Sequence, residues 1–390
     1  MKQICWVAAS VVLAQTPEQL AKIKSTVEDN LDRLPNYTCT ETIQRSERPR
    51  IDGQLKLMMA ETIRLEVAVV DGKELFGWPG AAKIDESDLG KMMDGSIGNG
   101  YFALFSQNVF STPAATYQYL NEEQLDGKPT VRYDYRVPQS SGAYVIRGDP
   151  GSVSVGFHGS FWVNSATLDL IRITVTVDDP PVALGMSSAA SVLDFERKPI
   201  GSSTFILPRA AELTVVDTDG MEKANRLSFA GCHQFVGESV LKFDVPTNEP
   251  AAAAKAAIAR FALPDDFTVD FNLDTPIEWG SAAGGDPVHG TLRDGVRPDA
   301  GTGIVIPKGA TLSGRIAHLA LRGDLYYVEL ALTSLDFEGG HADLNGRRNG
   351  VSVKDVPLIY TSTKFKLARG ARLTLHSRLL KSVHNDSIRP

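Results

Sequence analysis

Three observations in this 390-residue chain predict a mainly β, α+β protein of two domains. Runs of period-two alternation between apolar and polar residues recur from Tyr37 onward, one leading segment alone carries clear helical spacing, and a proline- and alanine-rich stretch from Pro246 to Pro264 interrupts the β pattern. Short strands that follow one another without intervening helices select an antiparallel sheet over a doubly wound parallel one. The length exceeds what one hydrophobic core usually supports, which sets two domains as the expectation.

Residues 1–14 read as a secretory signal. Lys2 supplies the positive charge, Ile4 to Leu13 form a short apolar run, and Val12-Leu13-Ala14 provides a small-residue cleavage site before Gln15. The run is about half of the roughly 20 residues that a membrane-spanning helix needs, so no transmembrane span is expected after cleavage. Cys5 lies ahead of most of the apolar run, where a lipid-modified cysteine would not stand. The expected location is periplasmic or secreted. There Cys39 and Cys232, the two remaining cysteines, would pair as a disulfide.

The mature chain opens with a helix. Thr16 can cap it, Pro17 suits its first turn, Gln19 stands at the capping-box position, and Leu20, Ile23, Val27 and Leu31 form one apolar stripe. Pro35 ends it, and Tyr37 to Ile43 begins the β region.

The alternation is plainest from Val153 to Val163, with Val155, Phe157 and Phe161 on one face and His158, Ser160 and Trp162 on the other. After a turn through Asn164 to Thr167 the chain returns as Leu170 to Val177, which predicts a hairpin with one covered face. Further strands are expected at Val131 to Val137, Tyr144 to Arg147, Thr204 to Leu207, Ala211 to Val216 and Arg226 to Phe235. Asp217 to Gly220 makes the turn before the last of these.

The leading helix, the meander that follows it and the segments Gly159-Ser160-Phe161-Trp162-Val163-Asn164 and Thr167-Leu168-Asp169-Leu170-Ile171-Arg172 resemble the lipoprotein-carrier superfamily of bacterial envelope proteins. That group includes LolA and the stress sensor RseB. The resemblance covers roughly residues 16 to 245 and implies a curved antiparallel sheet, or half-barrel, covered by helices. It also implies a lipid, lipoprotein or peptide as ligand and an envelope protein as partner. The family's functional arginine has no match here, so no binding residue is carried over.

The first domain is accordingly drawn at 15–245, a linker at 246–263, and a small C-terminal β domain at 264–390. In the latter, Thr268 to Leu273 and Tyr326 to Leu332 alternate, and Gly339-Gly340 and Asn345-Gly346 supply turns. The stretch from Ile304 to Ile316, with Ile306-Pro307-Lys308-Gly309-Ala310-Thr311, is similar to the strand entry in small barrels of secretion-channel proteins. This points to a compact barrel or sandwich.

Candidate ligand contacts come from the segment between Leu75 and Phe110. Trp78, Met92, Met93, Phe102, Phe105 and Phe110 gather there without steady alternation, among Gly90, Gly95, Gly98 and Gly100. Flexible Met and rigid aromatic side chains suit an adaptable apolar pocket, and the same residues also suit the core between sheet and helices.

Several function classes lose support. The net charge of -7, and the absence of a long Lys/Arg run, argue against nucleic acid as a partner. The chain has no G-x-S-x-G, H-E-x-x-H or S-x-x-K motif and no phosphate-binding Gly loop, so no catalytic residue and no cofactor is assigned. His158 with Asp134 or Asp149, and Asp178-Asp179 as a calcium site, read more simply as a solvated or locally bonded histidine and a turn. Cys232-His233 lacks the close ligand set that structural zinc needs. The expected function is non-enzymatic binding of an apolar ligand, or scaffolding, in the cell envelope. An RseB-like sensor regulating a membrane partner and a secreted hydrolase are the alternatives.

If Cys39 and Cys232 pair, Cys232 must face the same way as Cys39. The alternation set by Leu227 and Phe229 sends it to the opposite face, and a bulge at Gly231 would restore the phase.

Overall fold

A computed structural model describes residues 17–81, 84, 104–148, 151–235, 259–260, 263, 266–297, 305–344, 347–353, 356–360 and 365–379. Cys5, Thr16, Met92, Met93, Phe102 and the Asn345-Gly346 turn lie outside the described residues. Those within Met1–Pro35 and Gly100–Ala211 form one compact unit, and those within Asn36–Asn99 and Glu212–Pro390 form a second.

In chain order the elements begin with α1 (Pro17–Asp32), β1 (Tyr37–Arg48), β2 (Arg50–Ile51), β3 (Gln54–Leu55), β4 (Met59–Val70), β5 (Lys73–Gly77) and α2 (Leu104–Phe110). They continue with β6 (Thr116–Leu125), β7 (Lys128–Val137), β8 (Tyr144–Gly148), β9 (Gly151–Val155), β10 (Phe157–Asn164), β11 (Leu170–Val177), β12 (Met186–Ile200), β13 (Ser203–Asp217) and β14 (Glu222–Gln234). The described residues that follow add twelve strands. These are β15 (Ala259–Arg260), β16 (Asp266–Leu273), β17 (Ile277–Glu278), β18 (Pro287–Leu292), β19 (Thr311–Arg322), β20 (Leu325–Phe337), β21 (Gly340–Asp343), β22 (Arg347–Val353), β23 (Val356–Pro357), β24 (Ile359–Tyr360), β25 (Lys366–Leu367) and β26 (Arg372–Leu379). The fold is mainly β with antiparallel pairing throughout its long strands and few helices, as the alternation predicts.

In the first unit, one row of pairs runs Tyr119 to Tyr133, Phe161, Ile173 and Leu193 across β6, β7, β10, β11 and β12. Tyr133 stacks on Phe161 with ring centroids 5.3 Å apart, and Phe110 of α2 meets Phe161 edge-on at 4.9 Å. The α1 stripe is placed as its spacing requires, with Ile23 and Val27 buried. Asn30 fixes the helix by pairing with the backbone of Ile206: it donates from Nδ2 at 3.0 Å and accepts the Ile206 N–H at 2.8 Å.

Two departures from the expected strands have identifiable causes. The alternation from Val153 to Val163 is divided at Gly156 between β9 and β10, which pair with different partners. At Gly156 a Cβ would stand 3.0 Å from the Gln139 nitrogen and 3.2 Å from the Asp178 carboxylate, so a side chain would crowd the bend. The two strands expected at Thr204 to Leu207 and Ala211 to Val216 are instead one strand, β13, running through Pro208. Exposed Arg209 breaks its apolar stripe without breaking the strand.

In the second unit β1 lies between β4 and β14, with Ile43 opposite both Ile63 and Leu227. The other edge of β4 is shared in turn by Arg322 to Ala320 of β19, by Gly284, and by β5. The disulfide joins Cys39 of β1 to Cys232 of β14, closing a separation of 193 residues. The register shifts between Thr38 and Thr40, where Gly231 and Cys232 together oppose Cys39, and Gly231 has φ +62°. This is the bulge that the phase argument requires, with glycine taking the left-handed conformation. Further along, β26, β16, β18, β19, β20 and β21 pair in series, and Phe271, Leu273, Leu312, Leu330, Leu335 and Leu375 anchor their core.

Candidate functional site

The first unit holds a partly open cavity of about 80 Å³ lined by α1, α2 and the strands. One water needs roughly 10 to 15 Å³ by this kind of measure, so the space exceeds a single solvent site several-fold. Val27 and Leu31 of α1, Leu170 of β11, and Phe195 and Ile206 of β12 and β13 supply apolar lining. Polar groups come from Asn30, Arg33, Ser106, Asp169, Arg197 and Thr204.

Asp169 is nearly buried, and Arg197 satisfies it through two parallel hydrogen bonds of 2.7 and 2.6 Å, from Nε and Nη2. The bond to Asp169 holds the Arg197 guanidinium above its ordinary pKa. The Arg33 Nε donates to its own helix at the Asp29 carbonyl, 3.0 Å away. With two arginines and one aspartate, the cavity mixes apolar and polar walls and has Arg33 in excess once Arg197 is paired with Asp169.

A larger and more open groove of about 610 Å³ lies elsewhere on this unit, lined by Asp126, Lys128, Arg172, Asp194, Glu196 and Arg209 among others. Arg172 donates to Asp194 at 2.6 Å and to Asp126 at 3.3 Å, and Arg209 reaches Asp194 at 3.1 Å. Its charges largely neutralise one another.

The sequence-proposed contacts occupy different surroundings. Phe105 and Phe110 are buried on α2, Phe105 packing edge-on to Tyr144 at 5.5 Å. Ser106, between them in sequence, is the α2 residue that lines the cavity. Trp78 is half-buried in the second unit, where the Arg315 guanidinium lies 4.4 Å from its ring. Gly285 passes so close that a Cβ there would stand 2.8 Å from the indole and 2.3 Å from the Arg64 carbonyl oxygen, at φ +97°.

His158 is partnered by Asp178 and not by Asp134, and Asp149 lies outside the described residues. Its Nδ1 lies 2.6 Å from Asp178, whose other oxygen takes Arg136 at 2.9 Å. The Asp178 carboxylate is therefore engaged by two side chains. Trp162, expected on an exposed polar face, is nearly buried. Its Nε1–H donates to Glu123 at 2.5 Å and Arg132 covers its ring at 5.0 Å.

The residues that reasoning from sequence missed are Asp169, Arg197 and Ser106. Val27 and Leu31 were visible in the helical stripe, but the Asp169–Arg197 pair spans 28 residues and exists only because β11 and β12 are neighbours.

No family model matches the sequence, and no curated protein matches it. Solved structures do show likeness. The chain is similar to a putative outer membrane lipoprotein-sorting protein domain from Vibrio parahaemolyticus at 11% identity and a TM-score of 0.32, covering 55% of this chain and 92% of that one. A LolA superfamily protein from Nitrosomonas europaea aligns at 10% identity and a TM-score of 0.30, covering 56% and 94%. The Mycobacterium tuberculosis lipoprotein LppX aligns at 14% identity and a TM-score of 0.23, covering 57% and 99%. Among the described residues, no helix is long and apolar enough to cross a membrane.

Proposed function

We propose that the protein is a non-enzymatic component of the bacterial envelope that binds an apolar ligand in the helix-covered cavity of its first unit. The observation that carries this reading is the cavity itself: Val27, Leu31, Leu170, Phe195 and Ile206 offer apolar contact, while Arg33 offers charge to an anionic group, Arg197 being paired with Asp169. A chain with an acyl portion and an acidic head fits both features. The sheet of this unit would act as a half-barrel wall, with α1 and α2 as its cover. Phe105 and Phe110 remain proposed contacts for a ligand long enough to displace α2, as do Met92, Met93 and Phe102 from the sequence pattern; Trp78 remains a proposed apolar contact of the second unit alone.

Native mass spectrometry of the mature protein, purified from a periplasmic fraction, tests the reading. A co-purifying lipid or peptide is expected. Leu31→Trp, which fills the cavity from α1, should remove that ligand and at least tenfold of the affinity for a fluorescent long-chain fatty acid. Repeated ligand-free spectra, together with fatty-acid binding unchanged by Leu31→Trp, would overturn it.

A further inference from the structure

Most apolar side chains in the second unit are buried, and the hairpin between β1 and β4 is an exception. Ile51, Leu57 and Met58 expose 44%, 52% and 41% of their surface within eight residues of chain. Isolated exposed apolar residues are ordinary, whereas three within one short stretch call for a reason.

The hairpin is built and not loose. Asp52 and Gly53 both have positive φ, +52° and +77°, as a two-residue turn between twisted strands requires. Arg50 pairs with Leu55 and Ile51 with Gln54. Lys56 donates its N–H to the Pro49 carbonyl at 3.1 Å, Met58 donates to Glu47 at 2.9 Å, and the Gly323 N–H reaches the Met58 carbonyl at 2.8 Å. These bonds satisfy the backbone of the stretch and leave its apolar side chains pointing to solvent.

Charge identifies what covers them. The chain as a whole carries a net charge of -7, yet residues 48–58 contain Arg48, Arg50 and Lys56 against a single acid, Asp52. Arg48 is neutralised by Glu222 at 2.8 Å. Arg50 and Lys56 are exposed, and among the described residues neither has a carboxylate within ion-pair distance. Exposed Arg322 stands beside them, since it pairs in register with Met59. Exposed apolar side chains with exposed cations beside them in sequence and register match the boundary between acyl chains and anionic headgroups.

We propose that the β2–β3 hairpin docks the protein on a bilayer surface bearing anionic headgroups, with Ile51, Leu57 and Met58 entering the interface and Arg50, Lys56 and Arg322 contacting lipid phosphates. This is separate from the cavity of the first unit and does not depend on a ligand there.

The test is co-sedimentation of the full mature chain with vesicles of phosphatidylglycerol and phosphatidylethanolamine, and with vesicles of phosphatidylcholine alone. Binding to the first set is expected to weaken with added salt and to exceed binding to the second about tenfold. Ile51→Asp/Leu57→Asp/Met58→Asp should lower it at least tenfold. Arg50→Glu/Lys56→Glu should abolish the preference for anionic lipid, while Val182→Asp, at another exposed apolar position, should change nothing. A reporter variant, Gln54→Trp, should shift its emission to the blue on adding anionic vesicles. Equal sedimentation of wild type and the triple variant, or an unshifted Gln54→Trp emission, would overturn the proposal. So would a concentration-dependent dimer in solution that the triple variant dissolves, because a second copy would then be the occupant.

Discussion

The two compact units cover their sheets by different means. In the first, α1 and α2 lie on an aromatic face centred on Phe161. In the second, the described residues contain no helix, strands pack on strands, and the Cys39–Cys232 bond clamps β1 to β14. A helix can shift on a sheet without breaking a ladder hydrogen bond, whereas a strand cannot leave its ladder without losing several. The difference assigns adaptability to the first unit, where the cavity lies, and covalent rigidity to the second.

The largest expected effect tests the aromatic face. Phe161→Ala removes a fully buried ring that contacts Phe110, Tyr133 and Tyr117, and should cost about 3 to 5 kcal/mol. Peptide-resolved hydrogen exchange should show the loss in β7, β10 and β11, with β16 and β26 unchanged. Equal loss in both sets would mean that the two units do not unfold separately.

Removing the clamp should have the next largest effect. Cys232→Ser is expected to lower stability by about 2 to 4 kcal/mol, since the bond restrains a very long loop of the unfolded chain. Exchange should rise in β1 and β14 first. The protection of α1 and α2 should stay as in the wild type, a contrast that disappears if redox state governs the whole molecule.

A third test uses a buried acid of the second unit. Burial, and then the neighbouring Glu74 charge, push the Glu41 carboxyl up to about 8 from an ordinary value near 4.5. The folded protein therefore keeps a proton that the unfolded chain releases, and stability falls as pH rises from about 4.5 to about 8. Glu41→Gln should flatten that fall, with its largest gain in melting temperature at the alkaline end. A pH profile parallel to wild type would remove Glu41 from the account.

Much of the scaffold was legible in the sequence because it rests on local periodicity. The α1 stripe, the Asp217 to Gly220 turn and the β10–β11 hairpin all follow from spacings within a dozen residues. The Gly231 bulge was legible for a subtler reason: a disulfide imposes a phase on β14 that plain alternation contradicts, and glycine is where the chain can absorb an extra residue. The alternation gave no sign of the break at Gly156, since the residues on either side keep the same period while their strands change partners. The burial of Trp162 depends on Glu123 and Arg132, which come from other strands. The candidate cavity was half legible, its helical lining by spacing, while Asp169 and Arg197 required knowledge of which strands pair.

The smallest effect concerns the edge of β4. His318 of β19 lies 3.2 Å from Glu61, which also takes Arg45 at 3.5 Å. The hydrogen bond to Glu61, opposed by partial burial and assisted by the Glu61 and Glu329 charges, raises the His318 pKa above 6.5, and Arg322 works against it. A raised histidine pKa means that the pair stabilises fully below about pH 6.5 and loses its contribution as pH climbs through the folded value. Because the His318 side chain is more than half exposed, screening limits the pair to less than about 1 kcal/mol. His318→Gln should therefore lower the melting temperature slightly at pH 6 and not at pH 8.5, the opposite dependence to Glu41→Gln. Combining the two substitutions separates the edge from the interior of one unit, since sites without a shared partner should add within about 0.5 kcal/mol. A larger deviation at pH 6 would show that the β4 edge and the buried carboxyl act as one network.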